Sequence, residues 1–430
     1  MNILMICYYY PPLTDVGCKR SVVFSEYFKQ YGWTPFVVSV SNPDKFYCTV
    51  GNDTPPEGIP TEYSFSIINP YKFLGKINGV ISKLLKLVNI ELSRNYLLDI
   101  FCIPDLFLGW IPLAVIKGLK SIRKNKIDLV YVSCSPFSSA IIGVLLKRLT
   151  GKPLVIDFRD PFALKELSLI LETPSWRVKL NETIENSIIK TTDLFIVNTE
   201  EVRNAYLEQY PSARGKTYAV PNGFDERQLI REELPKYDKF TIIYAGQFYF
   251  FDKRNDIHTN AFFGALGLLK ATSEISSLNF QFLYFGDGKN LISDIACNYG
   301  VEDLVICSDK KPHAEIMQAI KKSHLQLLRI SKPMISTKLF EGIALNIPFL
   351  ATIPAGEVEG IVNTYSPASY VVTGMDPDLI ANAIIDARDK YSDNSRQNNL
   401  IDYFLEFYSR KNLTLKLIKI IEQNLNKAFA

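Results

Sequence analysis

The sequence predicts an α/β protein made of two doubly wound, Rossmann-like domains. With 430 residues the chain is long for one hydrophobic core, which favours two domains of roughly 200 residues each. Short apolar runs of strand length alternate with helical patterns, as in parallel sheets covered by helices. This alternation starts again at Thr241 after a charged stretch, so each half of the chain predicts its own sheet.

The predicted domain boundaries follow that break in the pattern. The first domain covers residues 1–225, a charged linker covers 226–239, and the second domain covers 240–405. Residues 406–430 contain a last helical segment.

Composition excludes several classes of protein. The net charge of +3 is nearly neutral for this length, so we expect no general affinity for nucleic acid. Seven scattered cysteines without a C-x-x-C pair favour a reduced, cytoplasmic protein over a disulfide framework or a zinc site. The first residues resemble a buried strand and not a signal peptide, and no apolar run is long enough to span a membrane.

The first domain begins with a predicted βαβ unit. The strands are Asn2–Ile6 and Pro35–Val40, and the loop between the first strand and its helix contains Gly17. Gly17 would let the backbone approach a ligand closely, and Lys19 and Arg20 place positive charge near the helix start. The alternative is an ordinary βα loop without a ligand.

Residues 71–93 combine lysines with apolar residues at helical spacing. This pattern is typical of a basic amphipathic helix that lies on a lipid surface, here as a peripheral contact at the inner membrane. It fits equally a helix of the core whose basic side faces solvent.

Polar residues follow two further strands of the first domain. Ser135 lies in a loop of small residues after strand Asp128–Val132, and its hydroxyl and the free amides there suit a polar ligand or a helix cap. Asp157, Arg159 and Asp160 end the next apolar strand. Three charges at that position are costly to bury unless they are paired or used, so they predict either a ligand site or a structural Arg–Asp pair.

The second domain repeats the alternation. Its strands include Thr241–Gly246, Phe280–Phe285 and Leu325–Leu328, each with a helix after it. Gly246 ends the first of these strands, and Gly286 follows the second in a Gly-x-Gly turn, which alone is weak evidence for a ligand.

A short amphipathic helix at 336–347 carries the strongest functional signal. Ser336 or Thr337 caps its start, and Lys338 lies in the first turn, where the backbone amides already carry partial positive charge. Amides and an ammonium together make a phosphate site, and Glu341, one turn deeper, is placed to accept hydrogen bonds from ribose hydroxyls. The alternative is a surface helix with an ordinary Lys–Glu pair.

These segments resemble glycosyltransferase family 4, whose fold is GT-B. The resemblance rests on a Pro-Pro loop with one glycine at 11–17, D-x-R-D at 157–160, P-N-G-x-D at 221–225 and S-T-K-L-F-E at 336–341. It covers nearly the whole chain and thins at 43–100. It implies two Rossmann-like domains that face each other across a cleft, with the last helix packing back on the first domain.

The resemblance also implies roles for the residues singled out above. Three residues are implied in catalysis: Arg254, Lys338 and Asp160. The implied donor-binding residues are Gly17, Gly246, Arg254, Gly286, Ser336, Thr337, Lys338, Leu339 and Glu341. The implied acceptor or cleft residues are Lys19, Arg20, Ser135, Asp157, Arg159 and Asp160. No metal and no cofactor is expected, because basic side chains and helix amides stabilise the departing diphosphate in this family.

The function implied is a retaining glycosyltransferase. It would move a hexosyl-type sugar from a UDP- or GDP-linked donor to a glycan or polyprenyl-linked acceptor in cell-surface polysaccharide synthesis, lipopolysaccharide included. The family often has a glutamate where Pro333 stands, a second glycine in the first loop, and a histidine in the first domain. Their absence leaves two alternatives open: a sugar-nucleotide 2-epimerase and a non-catalytic partner that binds a sugar nucleotide.

Overall fold

The chain divides into two compact units in a computed structural model. The first unit contains Met1–Pro221 and Arg410–Ala430, and the second contains Asn222–Ser409. The structure describes residues 1–45, 47–68, 70–87, 96–164, 174–246, 248, 257–330, 335–391 and 400–429.

The first unit is built on a seven-stranded parallel sheet. Its strands are β1 (Asn2–Cys7), β2 (Thr34–Val40), β3 (Thr61–Ser64), β4 (Leu129–Cys134), β5 (Leu154–Phe158), β6 (Leu194–Val197) and β7 (Thr217–Ala219). Its helices are α1 (Val16–Gln30), α2 (Pro70–Lys86), α3 (Tyr96–Phe101), α4 (Ile111–Lys124), α5 (Ser138–Thr150), α6 (Ser175–Thr191) and α7 (Glu200–Gln209). The strand order is β3-β2-β1-β4-β5-β6-β7.

The second unit has a six-stranded sheet that is also parallel throughout. Its strands are β8 (Phe240–Ala245), β9 (Phe280–Phe285), β10 (Val305–Ser308), β11 (Leu325–Arg329), β12 (Phe349–Thr352) and β13 (Tyr370–Val372). Its helices are α8 (Ile257–Ala271), α9 (Lys289–Asn298), α10 (His313–Lys322), α11 (Thr337–Ala344), α12 (Glu357–Tyr365), α13 (Pro377–Asp389) and α14 (Ile401–Tyr408). The strand order is β10-β9-β8-β11-β12-β13.

Both sheets are doubly wound, which confirms the predicted fold class. In each sheet the strand order reverses beside the first strand, between β1 and β4 and between β8 and β11. The crevice outside the carboxyl ends of two such strands is where open α/β sheets bind ligands. The two reversal points therefore identify the regions in which a site is expected.

The last helix, α15 (Arg410–Phe429), belongs to the first unit. Leu413, Leu417 and Ile421 are buried there in one cluster with Phe24 and Phe28 of α1. The helix thus covers one face of the first sheet, although hundreds of residues separate it from α1 in sequence.

The predicted linker at 226–239 belongs to the second unit. Leu229 and Tyr237 pack against a buried cluster of that unit, and Lys236 Nζ donates to the carbonyls of Lys321 at 3.0 Å and Ser323 at 2.8 Å. Residues 226–239 contain many charged residues and only a few apolar ones that anchor the segment. Their sequence therefore resembles a solvated linker.

The elements that the sequence patterns did not predict include β3, α3, α9, α12, β13 and α14. Among the described residues, none of the helices combines the length and the apolarity needed to cross a bilayer.

Candidate functional site

The carboxyl ends of β8 and β11 bring four residues together in the second unit. Gly246 follows β8, Arg329 is the last residue of β11, and Lys338 lies in the first turn of α11. Ser336 caps this helix, because its hydroxyl accepts a hydrogen bond from the Lys338 amide at 3.3 Å. Lys338 therefore lies at the reversal point of the second sheet, and its role in binding donor stays a prediction.

The Lys338 ammonium is held against the ring of Tyr244. Its Nζ donates to the Tyr244 hydroxyl at 2.8 Å and lies 4.0 Å from the centroid of the ring. Burial and, to a lesser degree, the charge of Arg329 lower the pKa of Lys338 to about 7, although the carboxylate of Glu341 opposes both effects. A bound anion would favour the charged form, so this lysine is suited to respond to one.

Arg329 is a functional candidate that the sequence reasoning missed. Its Nη1 donates to Thr259 Oγ1 at 2.5 Å, and its guanidinium lies 4.4 Å from the centroid of the Phe248 ring. Phe248 in turn contacts Tyr244, with 4.3 Å between the ring centroids. Two cations thus rest on two adjoining aromatic rings. A signal was available: an arginine that ends an apolar strand, as Arg159 nearly does in the first half of the chain.

Two predicted glycines keep space for this arrangement. A Cβ at Gly246 would lie 2.5 Å from Lys338 Nζ, and the φ of Gly246, +131°, is one that other residues rarely adopt. A Cβ at Gly286 would collide with the carbonyl oxygen of Gly246. Both glycines therefore have a steric reason to be there, at the strand ends beside Lys338.

Glu341 lies one turn deeper in α11, and a histidine holds its carboxylate. Glu341 Oε1 is 3.1 Å from Nε2 of His313, the first residue of α10. The Glu341 side chain is 13% exposed, so its remaining surface is accessible beside the helix start. No sequence pattern singles out His313, because it meets Glu341 across 28 positions of the chain.

Two predictions for this helix need refinement. The side chain of Leu339 is fully buried in the apolar cluster under α11, so only its backbone could contact a donor, and its role stays a prediction. Thr337 is the first helical residue and is half-buried. Arg254 and Pro333 lie outside the described residues, so the prediction for Arg254 stays a prediction.

In the first unit, Arg20 and Asp157 form a buried ion pair. Arg20 Nε lies 2.7 Å from Asp157 Oδ2, and Nη2 lies 3.1 Å from Oδ1. Arg20 also donates to the carbonyls of Val220 at 2.9 Å and Pro221 at 2.7 Å, and the Tyr131 hydroxyl donates to Asp157. Both side chains are inside the unit, so the prediction that they face an acceptor is corrected to a structural role.

Arg159 connects the loops that follow β1 and β4. It donates through Nη1 to the Gly17 carbonyl at 2.7 Å, through Nη2 to the Ser135 carbonyl at 2.6 Å, and through Nε to the Cys134 carbonyl at 3.0 Å. A Cβ at Gly17 would lie 2.7 Å from Arg159 Nη1, so this glycine makes room for the arginine. Arg159 fixes the reversal point of the first sheet.

Asp160 and Lys19, like Arg159, are predicted charges of the first unit that stay half-buried at this edge. Burial raises the pKa of Asp160, and the charge of Arg159 opposes that effect. Within the described part of the chain, the Asp160 carboxylate has no hydrogen bond, unlike that of Asp157. Asp160 is thus the more accessible carboxylate of this motif.

No group of three or more His, Cys, Asp or Glu side chains that could hold a metal ion occurs among the described residues.

Comparison with known proteins agrees with the motifs. The sequence model of Glycosyltransferase Family 4 matches residues 96–228, which confirms the predicted resemblance in that region. No protein of curated function matches the chain by sequence.

Solved structures show that the fold is GT-B. Sucrose-phosphate synthase from Thermosynechococcus elongatus superposes with a TM-score of 0.69 at 15% identity, over 98% of each chain. HepE from Anabaena in complex with UDP and glucose gives 0.62 at 14% identity, over 98% of this chain and 100% of that one. WaaG, a glycosyltransferase involved in lipopolysaccharide biosynthesis, gives 0.61 at 13% identity, over 97% and 99%. The family match and the fold support a transferase.

Proposed function

We propose that this GT-B chain is a retaining glycosyltransferase that uses a nucleotide-linked hexosyl donor. The observation that carries the proposal is the pair of cations, Lys338 and Arg329, at the reversal point of the second sheet. Positive charges that lie close together at a strand edge repel each other, and a bound anion reduces that repulsion. A nucleoside diphosphate supplies that anion.

The start of α11 completes the donor site. Its first amides point away from the helix and carry partial positive charge, which adds to the charge of Lys338. Glu341 accepts hydrogen bonds from the two ribose hydroxyls, and His313 orients its carboxylate at 3.1 Å. Gly246 and Gly286 keep this edge free of side chains.

The reaction follows from where negative charge develops. The bond between the sugar C1 and the diphosphate oxygen breaks, and the acceptor oxygen bonds to C1 on the same face. The acceptor proton passes to the departing diphosphate. Lys338 and Arg329 stabilise the charge that grows on this leaving group, and Arg254 remains a predicted further cation. The proposal requires no protein nucleophile, metal or cofactor. Asp160 is proposed to position a reacting group.

The donor and the biological role are supported by similar structures. HepE was solved in complex with UDP-glucose, and WaaG is described as acting in lipopolysaccharide biosynthesis. Both are below 15% identity to this chain, so their likeness alone does not identify the donor. We propose a UDP- or GDP-linked hexose and a role in surface-polysaccharide synthesis because these structures and the residues of the site point to the same ligand.

A peripheral contact with the cytoplasmic face of a membrane is part of the proposal. Phe73, Val80 and Leu84 of α2 are each about 60% exposed, which argues against a helix buried in the core. Residues 70–87 contain lysines and no acidic residue, so the surface suits anionic lipid. A polyprenyl-linked acceptor would be presented there.

Nucleotide release tests the proposal and separates it from the two alternatives. The protein is incubated with UDP- and GDP-sugars, with and without a lipid-linked acceptor. Acceptor-dependent release supports the transferase, acceptor-independent turnover supports the epimerase, and binding without turnover supports the silent partner.

Variants connect the assay to the site. Lys338→Met and Arg329→Gln should each lower the rate by roughly 10²-fold, because each removes charge stabilisation at the leaving group. Lys390→Met, which removes an exposed lysine of the same unit, should leave the rate unchanged. Equal rates for all three variants would contradict the assignment of this site.

A further inference from the structure

A buried carboxylate of the first unit has no part in the function proposed above. Glu185 lies in α6, and its side chain is fully buried. Burial raises the pKa of Glu185 to about 7, although the hydrogen bonds that it accepts oppose this effect. A carboxylate is costly to bury unless hydrogen bonds satisfy it, so the groups that donate to Glu185 show what it holds in place.

Three neutral groups from two parts of the chain donate to this carboxylate. The hydroxyl of Tyr206 in α7 donates to Glu185 Oε1 at 2.6 Å, and the hydroxyl of Tyr210, directly after α7, donates to Oε2 at 2.8 Å. The main-chain amide of Ala163 donates to Oε1 at 3.2 Å. Hydrogen bonds to an ionised carboxylate are stronger than those between neutral groups, so Glu185 firmly joins α6, α7 and the loop that follows β5.

Phe162 fixes the same loop at a second point. Its amide donates to the Tyr206 hydroxyl at 3.3 Å, so this hydroxyl bridges the loop and the carboxylate. The Phe162 side chain is buried, and its ring stacks on that of Phe137 with 4.4 Å between centroids. Two successive amides, of Phe162 and Ala163, are therefore held by Tyr206 and Glu185.

The position of Asp160 depends on these two amides. Pro161 separates Asp160 from Phe162, and a proline fixes its own φ and restricts the backbone of the residue before it. On the other side, Arg159 is held by hydrogen bonds to three main-chain carbonyls. Asp160 thus lies between two anchored points of the chain, and its carboxylate is half-buried at the edge of the sheet.

We propose that Glu185 is a positioning residue for Asp160. Glu185 accepts hydrogen bonds from Tyr206 and Ala163, these bonds fix the loop after Pro161, and the loop sets the direction in which the Asp160 carboxylate points. Glu185 is inside the unit, so it acts only through the loop. The inference rests on the proposed function, in which Asp160 positions a reacting group.

Substitution of Glu185 tests the proposal in the full chain. Glu185→Leu replaces the carboxylate by an apolar side chain of similar size. We expect the acceptor-dependent rate of nucleotide release to fall roughly tenfold, because a displaced Asp160 holds the reacting group less accurately. The affinity for UDP- and GDP-sugars should stay unchanged. Glu185→Gln keeps an oxygen that can accept from Tyr206 and Ala163, so it should recover most of the rate.

A second variant tests the proposal even if Glu185→Leu does not fold. Tyr206→Phe removes only the hydroxyl that bridges the carboxylate and the Phe162 amide. It should lower the rate in the same direction and speed hydrogen exchange of that amide. Tyr218→Phe is the matched control, because the Tyr218 hydroxyl contacts Asn424 Oδ1 at 3.0 Å in the same unit. It should change neither the rate nor that exchange, and thermal unfolding shows that each variant is folded.

A double-mutant cycle separates positioning from a general structural role. Asp160→Ala removes the carboxylate that Glu185 is proposed to position. If Glu185 acts through Asp160, then Glu185→Leu should cause little further loss of rate in the Asp160→Ala protein. A purely structural role predicts the same fold-loss in both backgrounds, because independent effects on the rate multiply. The same cycle is measured with Tyr206→Phe in place of Glu185→Leu.

The failure of this inference differs from the failure of the proposed function. If the unmodified protein transfers sugar and the losses from Glu185 or Tyr206 and from Asp160 multiply, the inference is overturned and the proposed function stands. An unchanged rate in folded Tyr206→Phe overturns the inference in the same way. If the unmodified protein shows no acceptor-dependent release with any UDP- or GDP-sugar, the proposed function fails, and the inference fails with it.

Discussion

At the scale of single residues, the protonation of Lys338 is coupled to the binding of a diphosphate. Lys338 has a pKa near 7 because it is partly buried beside Arg329. A bound diphosphate favours the protonated form, so its pKa rises in the complex. Binding at pH above 7 must therefore take up a proton, whereas binding below pH 7 meets a lysine that is already charged.

We predict that nucleotide diphosphate affinity falls as the pH rises above 7. The fall should approach about tenfold per pH unit between pH 7 and the pKa of the complex. Calorimetric titration of UDP and GDP from pH 6.5 to 9 measures it. Lys338→Met should bind more weakly and lose this dependence, whereas Lys390→Met should retain it. A flat profile in the unmodified protein would contradict the role of Lys338.

A second prediction concerns Glu341, which we assign to the ribose hydroxyls. Glu341→Ala should weaken binding of the nucleotide diphosphate roughly tenfold, since hydrogen bonds to a carboxylate are lost. The same variant should bind the 2′,3′-dideoxy nucleotide as well as the unmodified protein does, because that ligand has no hydroxyls to offer. Equal losses for both ligands, measured by calorimetry, would show that Glu341 acts elsewhere.

At the scale of elements, α2 differs from the helices that cover the sheets. Helix α4 buries Ala114, Val115 and Ile122 against the sheet, whereas α2 leaves Phe73 64% and Leu84 60% exposed. Lys76, Lys83 and Lys86 are exposed on the same helix. Such a helix is stabilised when its apolar side chains enter a lipid interface.

We predict that the protein co-sediments with vesicles containing phosphatidylglycerol and much less with pure phosphatidylcholine. The replacement Phe73→Ser with Leu84→Ser should abolish most of this binding, and replacing the three lysines by glutamine should remove its dependence on salt. Leu149→Ser, an equally exposed leucine of α5, is the control and should bind normally. Unchanged binding of the double variant would exclude α2 as the contact.

Elements also show what the sequence can predict. Apolar runs such as β9 are defined by local patterns, so the predicted bounds Phe280–Phe285 agree with the structure. The strand β3 has only four residues, Thr-Glu-Tyr-Ser, at the edge of the sheet, and helix α12 is interrupted by Gly360; neither carries a clear period.

The residues of the candidate site could likewise be predicted only where they lie close together in sequence. Lys338 and Glu341 were predicted because one short helix places both, and local spacing is visible in sequence. Arg20 and Asp157 meet across 137 positions, so their pairing exists only in the folded unit. Arg329 depends on the ring of Phe248, far from it in sequence, and its role became visible only with the strand order.

At the scale of the whole molecule, the first unit is completed by the end of the chain. Residues 410–429 return from the second unit and cover α1, with Leu417 fully buried. The first half of the sequence therefore lacks part of its own core until the last helix has been made.

We predict that Leu417→Ala destabilises the first unit by about 2 to 5 kcal/mol, the usual effect of removing a buried leucine side chain. Hydrogen exchange should then show faster exchange in β1 and α1 and unchanged exchange in β8 and β11. Leu149→Ala, at an exposed position, serves as the control and should change neither. Equal acceleration in both sheets would mean that the units unfold as one.

The anchoring of the first reversal point by Arg159 has a consequence for redesign. All three of its side-chain hydrogen bonds end on main-chain oxygens, of Gly17, Cys134 and Ser135. The side chain at position 135 can therefore change without loss of the hydrogen bond from Arg159, whereas position 17 must stay small. An engineer can exchange side chains along the 135 loop to alter what it recognises, provided that the arginine and the glycine are left alone.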